Sequence, residues 1–345
     1  MKNWFLFLFI PLGFLLLFST GFYTYWNNAD PRSTCASCHE ITPSVSTWEH
    51  SAHRDVPCFD CHGTALGNGI HSLKEKANMV FTHFSSEKYS DEIRLNEDQV
   101  LEMQGRCAKC HQSEYARWTS GGHAAGYARI FLDSAHNTQE RLYWDCFRCH
   151  GMYYEGNIYD LVTPVSTEGP WSLHEPEKAS QAVIPCLTCH QLHSPNEVLG
   201  KASVEEERNP SFGLFLRSDK MHLRADHLPR PDMFGDGRKL LVSTDPVQAL
   251  CLQCHAPGAH HIAGSSDDRT PTGVHEGLSC RSCHEPHSNT AAASCLTCHP
   301  AISNCGLDVH VMNTSFKDPL SPNNIHFVAC VDCHPAGRPV VAKGR

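Results

Sequence analysis

The pentad Cys-x-x-Cys-His occurs nine times in this sequence. The units are Cys35, Cys38 and His39; Cys58, Cys61 and His62; Cys107, Cys110 and His111; Cys146, Cys149 and His150; Cys186, Cys189 and His190; Cys251, Cys254 and His255; Cys280, Cys283 and His284; Cys295, Cys298 and His299; and Cys330, Cys333 and His334. They use 18 of the 19 cysteines and leave Cys305 over. Two residues between the thiols let both sulfurs reach one edge of a porphyrin and add to its two vinyl groups. The histidine that follows then lies under the iron as its proximal ligand. One such match is compatible with a redox dithiol or half a zinc site. A disulfide framework suits this cysteine count in an oxidising compartment, but does not explain nine histidines at one offset. The motifs predict nine covalently attached c-type haems.

With 345 residues, the chain allots about 38 to each motif. A chain this rich in Gly, Pro and polar residues has few apolar side chains for a polypeptide core around each unit. The expected fold is a multihaem cytochrome c: porphyrins as core, short helices carrying the motifs, long loops, and little or no sheet. The formal net charge of −9, made more negative by haem propionates, argues against nucleic-acid binding.

From Phe5 to Trp26 the chain reads FLFLFIPLGFLLLFSTGFYTYW, long enough to span a bilayer. Tyr23, Tyr25 and Trp26 fit an interfacial aromatic belt, and Lys2 predicts a cytoplasmic head with the remainder exported. A cleaved signal peptide is the alternative, but Asn27-Asn28-Ala29 is a weak cleavage site. Residues 1–28 are therefore expected to be a retained single-pass anchor in the cytoplasmic (inner) membrane, with the haem domain in the periplasm.

A duplication follows. Trp48, four residues, His53 and CFDCHG recur as Trp118, four residues, His123 and, after a longer insert, CFRCHG. This makes His53 and His123 equivalent, both expected as distal ligands, with the tryptophans packed on porphyrin edges. Residues 29–165 are expected to form a four-haem region of two such repeats.

The anchor followed by C-x-x-C-H-E, then W-x-H-S-x-H, then C-x-D-C-H resembles the NapC/NirT family of membrane-anchored quinol-oxidising cytochromes. The matching residues are Cys35, Cys38, His39, Glu40, Trp48, His50, Ser51, His53, Cys58, Asp60, Cys61 and His62. The likeness continues more loosely through GIHSLKEKANMVFTHF and Arg106, over roughly residues 1–155. It implies electron transfer from a membrane quinol such as menaquinol to a periplasmic redox protein or reductase. It also implies a quinol site with a lysine on a helix near the membrane, a role Lys74 or Lys76 can take. His71, Lys74 and Asn78 share one helical face there, although a plain amphipathic helix with solvated lysines accounts for them equally. The family's usual methionine two residues after the first motif histidine is Ile41 here, which has no donor atom. That departure bears on both the first haem's ligation and the quinol site.

Residues 166–345 are expected to hold five haems, with a haem-free insert at about 196–248. GVHEGLSCRSCHEPHSNTAAASCLTCHP resembles the doubled CXXCH motif of multihaem cytochromes. Beyond His53 and His123, the distal candidates are His83, His136, His174, His193, His222, His275, His287, His310 and His326. His193, three residues after a proximal histidine, cannot reach its own iron and is expected to serve a neighbouring haem. His222 and His227 stand in a basic run, readable also as an anion patch, a docking surface or a plain loop. At most one of His260 and His261 is expected to ligate, and Cys305 reads as a buried, inert thiol. Of 25 histidines, nine are proximal and 16 remain for nine distal positions, so two histidines per iron are available throughout. Such irons have no open site and suit electron transfer. The alternatives are an oxidoreductase for a small nitrogen or sulfur compound at an under-ligated haem, and a filament subunit released by cleavage.

Overall fold

The computed structural model describes residues 2–39, 41–67, 69, 72–85, 95–190, 192–193, 232–235, 237–255 and 275–288. The chain divides into two compact units, Met1–Cys110 with His190–Leu199, and His111–Cys189 with Gly200–Arg345. The described residues are helices and loops with four strands of two residues each, as the sequence predicts.

The first unit begins with α1 (Lys2–Asn28), a helix about 40 Å long at 1.5 Å per residue. Its Phe7–Asn28 stretch, with mean hydropathy 1.8, is long and apolar enough to cross a membrane, and none of it is buried. Phe7, Phe14, Leu17 and Phe18 stand exposed around it, the outline of a helix whose solvent is hydrocarbon. The short helices α2 (Pro31–Thr34), α3 (Thr42–Glu49) and α4 (Cys58–His62) follow. An ion pair from Arg32 to Glu49 ties the first two together.

Helix α5 (Leu73–Ser85) follows, then α6 (Glu97–Cys110), which buries Val100 and Met103. Arg106 of α6 donates from Nη1 to the Cys61 carbonyl at 2.7 Å and pairs with Glu102. The chain after His62 wraps this guanidinium. Gly63 has φ +80°, and a Cβ at Gly63 or Gly69 would lie 2.8 Å from Arg106. Glycine is required there because the backbone must approach the half-buried Arg106 side chain closely and, at Gly63, adopt the left-handed region.

The second unit departs from the expectation that porphyrins alone supply the core. Tyr127, Phe131, Leu142, Tyr154, Ile158, Leu161, Val162 and Val183 form a buried apolar cluster, with Phe147 and Trp171 packed on it. The physical reason is local. The segments between the motifs at Cys110, Cys149 and Cys186 are long, and their aromatic residues can close on one another. Helix α7 (Gln112–Ser120) precedes the cluster, and α8 (Tyr127–Phe131), α9 (Ser134–Asn137) and α10 (Ile158–Leu161) frame it. Asn157 caps α10, accepting from Tyr159 N–H at 2.8 Å, while Asp160 accepts from Asn157 N–H at 2.9 Å. Strands β1 (Val162–Thr163) and β2 (Ser172–Leu173) pair antiparallel. Tyr127 N–H donates to Gln181 O and Val183 N–H to Ala125 O, closing the cluster from the far side.

Further along the same unit, β3 (Phe234–Gly235) and β4 (Arg238–Lys239) form a hairpin turned at Gly237, φ +77°. Helix α11 (Pro246–Cys251) is capped by Asp245, whose other oxygen accepts from Ser279 Oγ at 2.5 Å. The Arg238 guanidinium grips Glu276 through two bonds of 2.8 and 2.7 Å, and Leu241 N–H donates to the same carboxylate. These donors hold the Glu276 carboxyl down at about 2, against an ordinary 4.5. A depressed carboxyl stabilises the fold above its unfolded value and loses that contribution as pH falls through the folded one. The protection factor of the Leu241 amide, its exchange rate set against the intrinsic rate at the same pH, is therefore expected to fall as pH drops from about 4.5 towards 2. Glu276→Gln should show weak protection already at neutral pH and no such step.

Candidate haem-binding centres

The motif turns are alike among the described residues. Cys149 N–H donates to Cys146 O, Cys189 to Cys186, Cys254 to Cys251 and Cys283 to Cys280, at 3.1–3.4 Å. His150, His255 and His284 donate to the first cysteine of their own motif at 2.8–2.9 Å. On such a turn, residues i and i+3 share a face, so both thiols point the same way with the histidine beside them. None of the fourteen described motif cysteines is joined in a disulfide, and no three His, Cys, Asp or Glu side chains converge on a metal-ion site among the described residues.

Burial pushes the Cys58 and Cys189 thiols up to about 11, with Cys35 adding to the effect at Cys58. Burial also raises Cys61, with Cys107, Asp60 and Cys110 acting on it. These sites disfavour a thiolate and suit a neutral sulfur, which a thioether is. The same influences show which motifs adjoin. In the first unit, motif two lies beside motifs one and three. In the second, Cys149 shares a hydrogen bond with Cys254, and Cys251 with Cys280.

The histidines carry the more informative geometry. His39 and His83 have ring centroids 5.8 Å apart, His62 and His193 5.8 Å, and His255 and His123 6.0 Å. Each pair joins one motif histidine to one histidine outside any motif. Two imidazoles that held one metal ion between them through nitrogens at about 2 Å each would have ring centroids about 6 Å apart. Ordinary aromatic pairs span the same range; the recurrent motif partner is what distinguishes these three. His150 has a further neighbour in His136: burial first, then His136, lowers its pKa to about 4, and its Nδ1 has no hydrogen-bond partner. These donor sets fit a haem iron.

Outer contacts orient two of the outside histidines. His193 Nδ1 lies 3.0 Å from the Ser44 carbonyl, so it donates there and turns its Nε2 lone pair outward. His136 Nδ1 lies 2.9 Å from Asn137 Oδ1, and buried Asn137 is itself held by donating to Phe131 O at 2.8 Å. Neither partner is visible in the sequence: one is a backbone oxygen 149 positions away, the other an ordinary Asn on a short helix.

The remaining predicted residues are placed as follows. His53 is half-buried, its N–H donating to Ser51 Oγ, and it acts electrostatically on His193. His123 is half-buried against the Pro286 carbonyl and close to His287, so the repeated Trp-x4-His brings its two histidines to different surroundings. His174 follows β2 and is exposed; His275 and His287 are half-buried, and His287 pairs with Glu285. Lys74 is exposed, while half-buried Lys76 reaches Met79 Sδ at 3.8 Å. Ile41 lies half-buried at the start of α3. Trp118 is buried, and Trp48 lines a cavity of about 290 Å³ with Trp26, Cys35 and Cys58.

Two of the nine predicted attachment sites lie outside the described residues. One is formed by Cys295, Cys298 and the proximal candidate His299. The other is formed by Cys330, Cys333 and the proximal candidate His334. Glu40, His71, His222, His227, His260, His261, Cys305, His310 and His326 lie outside them too.

Residues 1–156 match the NapC/NirT cytochrome c family, N-terminal region, and residues 235–285 match the family of cytochrome c554 and c-prime. The chain is 28% identical over 144 residues to the cytochrome c-type protein NrfH of Wolinella succinogenes, covering 40% of this chain and 78% of that one. No solved structure matches it. The N-terminal part is thus a NapC/NirT-like multihaem cytochrome region, and the haem these families bind is covalently attached c-type haem.

Proposed function

We propose that this chain is a membrane-anchored cytochrome with nine c-type haems. It carries electrons from the membrane quinol pool, menaquinol or another quinol, to a periplasmic redox protein or terminal reductase. The observation that carries the reading is the recurrent placing of a second imidazole 5.8–6.0 Å from a motif histidine. His39 and His83 would hold the first haem, His62 and His193 the second, His150 and His136 the fourth, and His255 and His123 the sixth. The eighth haem, on Cys295, Cys298 and His299, and the ninth, on Cys330, Cys333 and His334, rest on the motif spacing alone. Haem iron supplies one-electron chemistry when bound.

The chain's part is to hold and orient. Paired histidines would hold each iron between two imidazoles, so that a small substrate would find no place to bind. Ser44 and Asn137 fix two of the imidazoles. Adjacent motifs keep the attachment points of neighbouring haems together. With Ile41 unable to ligate, His83, 5.8 Å from His39 between ring centroids, would supply the second imidazole for the first haem. Helix α1 keeps this end of the relay at the membrane, and Lys2 sets the haem-bearing part on the periplasmic side.

The test uses membranes containing the holoprotein, treated anaerobically with a menaquinol analogue while the reduced c-haem band is followed. Rapid reduction blocked by a quinol-site inhibitor is the expected result. A protein that dithionite reduces fully and quinol does not reduce would overturn the quinol reading.

A further inference from the structure

Helix α5 presents an apolar face that no described residue of the first unit covers. Leu73, Ala77, Val80, Phe81 and Phe84 recur at i, i+4, i+7, i+8 and i+11 and are all exposed, Phe81 to 74% and Phe84 to 83%. That spacing is a stripe about 100° wide. The other side of the helix, with Glu75, Lys76, Met79 and His83, is the half-buried one, and it is this side that meets His39. The helix is thus packed by its more polar face, the reverse of a soluble surface helix.

A hydrogen-bond chain fixes where α5 starts. Asn27 Oδ1, at the end of α1, accepts the Ala65 N–H at 3.0 Å. The Ala65 carbonyl then accepts the N–H of Leu73, the first residue of α5, at 2.9 Å. Leu66, beside this junction, is 79% exposed. The apolar stripe therefore begins where the membrane-crossing helix ends, beside Tyr23, Tyr25 and Trp26. Exposed Lys74 sits at the edge of the stripe, three residues before Ala77, where its stem can lie on apolar surface and its ammonium among phosphates.

We infer that α5 is a second, monotopic membrane attachment, lying along the bilayer surface with Leu73, Ala77, Val80, Phe81 and Phe84 in the acyl boundary. The occupant of the stripe is lipid, because the stripe is continuous with the end of an anchor already committed to the membrane. One consequence is that His83 sits on a helix held at the bilayer surface and faces His39 from there.

The full-length holoprotein is reconstituted in phosphatidylcholine/phosphatidylglycerol vesicles containing a photoactivatable acyl-chain diazirine. Adducts are then mapped by mass spectrometry. Adducts on the peptide containing Leu73–Phe84, as well as on α1, are expected. The double variant Val80→Ser with Phe81→Ser should lose adducts on α5 about tenfold while α1 labelling and haem content stay unchanged. Phe84 is left intact because its ring stands 5.2 Å from His83. Adducts confined to α1, unchanged labelling in the variant, or crosslinking of the stripe to a second copy without acyl adducts would each overturn the inference. Lipid contact is read without electron flow, so this result and the quinol-reduction test fail independently.

Discussion

Replacing His193 with leucine is expected to turn one low-spin haem high-spin and to stop quinol-derived electrons at the N-terminal end of the relay. His193 stands 5.8 Å from His62 with the rings 23° from parallel, and Ser44 O holds its Nδ1. Leucine keeps the bulk and removes the nitrogen, so the effect should be one of ligation rather than packing. Electron paramagnetic resonance of the oxidised holoprotein should gain one high-spin signal, and dithionite should still reduce every haem. Menaquinol-analogue reduction should fall to a small fraction of the haem complement. His174→Leu, at an exposed position in the second unit, serves as the contrast and should change neither readout. An unaltered spin state in the His193 variant would remove that pair from the proposed ligand set.

The second large effect concerns packing. A Cβ at Gly69 would come within 2.1 Å of the His62 carbonyl and 2.8 Å of the Arg106 guanidinium. The carbonyl is backbone and cannot swing aside, so Gly69→Ala must push the motif turn off Arg106. A cost on the order of 3 kcal/mol follows from overpacking of this severity. Gly105 gives the opposite sign. It lies inside α6 with nothing within 4 Å of its would-be Cβ, so Gly105→Ala should stabilise by about 1 kcal/mol through helix propensity. Thermal melting of the two variants beside the parent checks both. Equal melting temperatures would show that the Arg106 clamp is dispensable.

Much of this was legible in the sequence, for reasons that differ by residue. The motif turns follow from spacing alone, because two thiols and a histidine at fixed offsets need one helical turn. Helix α1 follows from a run of apolar residues with no charge. That His193 would serve a haem other than its own is an expectation from reach; its position beside His62 could not be read from the sequence, because the two are distant in the chain and no local signal links them. The repeat of Trp48 and His53 in Trp118 and His123 was visible, yet His123 meets His255, a pairing that only the folded second unit creates. The aromatic core around Tyr127 and Phe131 was missed for a similar reason. Average composition is a poor guide to one dense cluster within a loop-rich chain.

The pairing of His62 with His193 also sets a clock on biogenesis. The two positions are separated by 131 residues, and five of the nine attachment motifs have left the ribosome before the later one does. At synthesis rates of about 5–20 residues per second, the interval is on the order of ten seconds. During that time the second motif is open to the attachment machinery, on the proposed topology, while its proposed opposite ligand has yet to be made. The nascent N-terminal unit must therefore wait for a late segment, His190–Leu199, before it can close. Premature termination anywhere ahead of residue 193 would release a protein unable to complete its second centre, however many motifs it already carried.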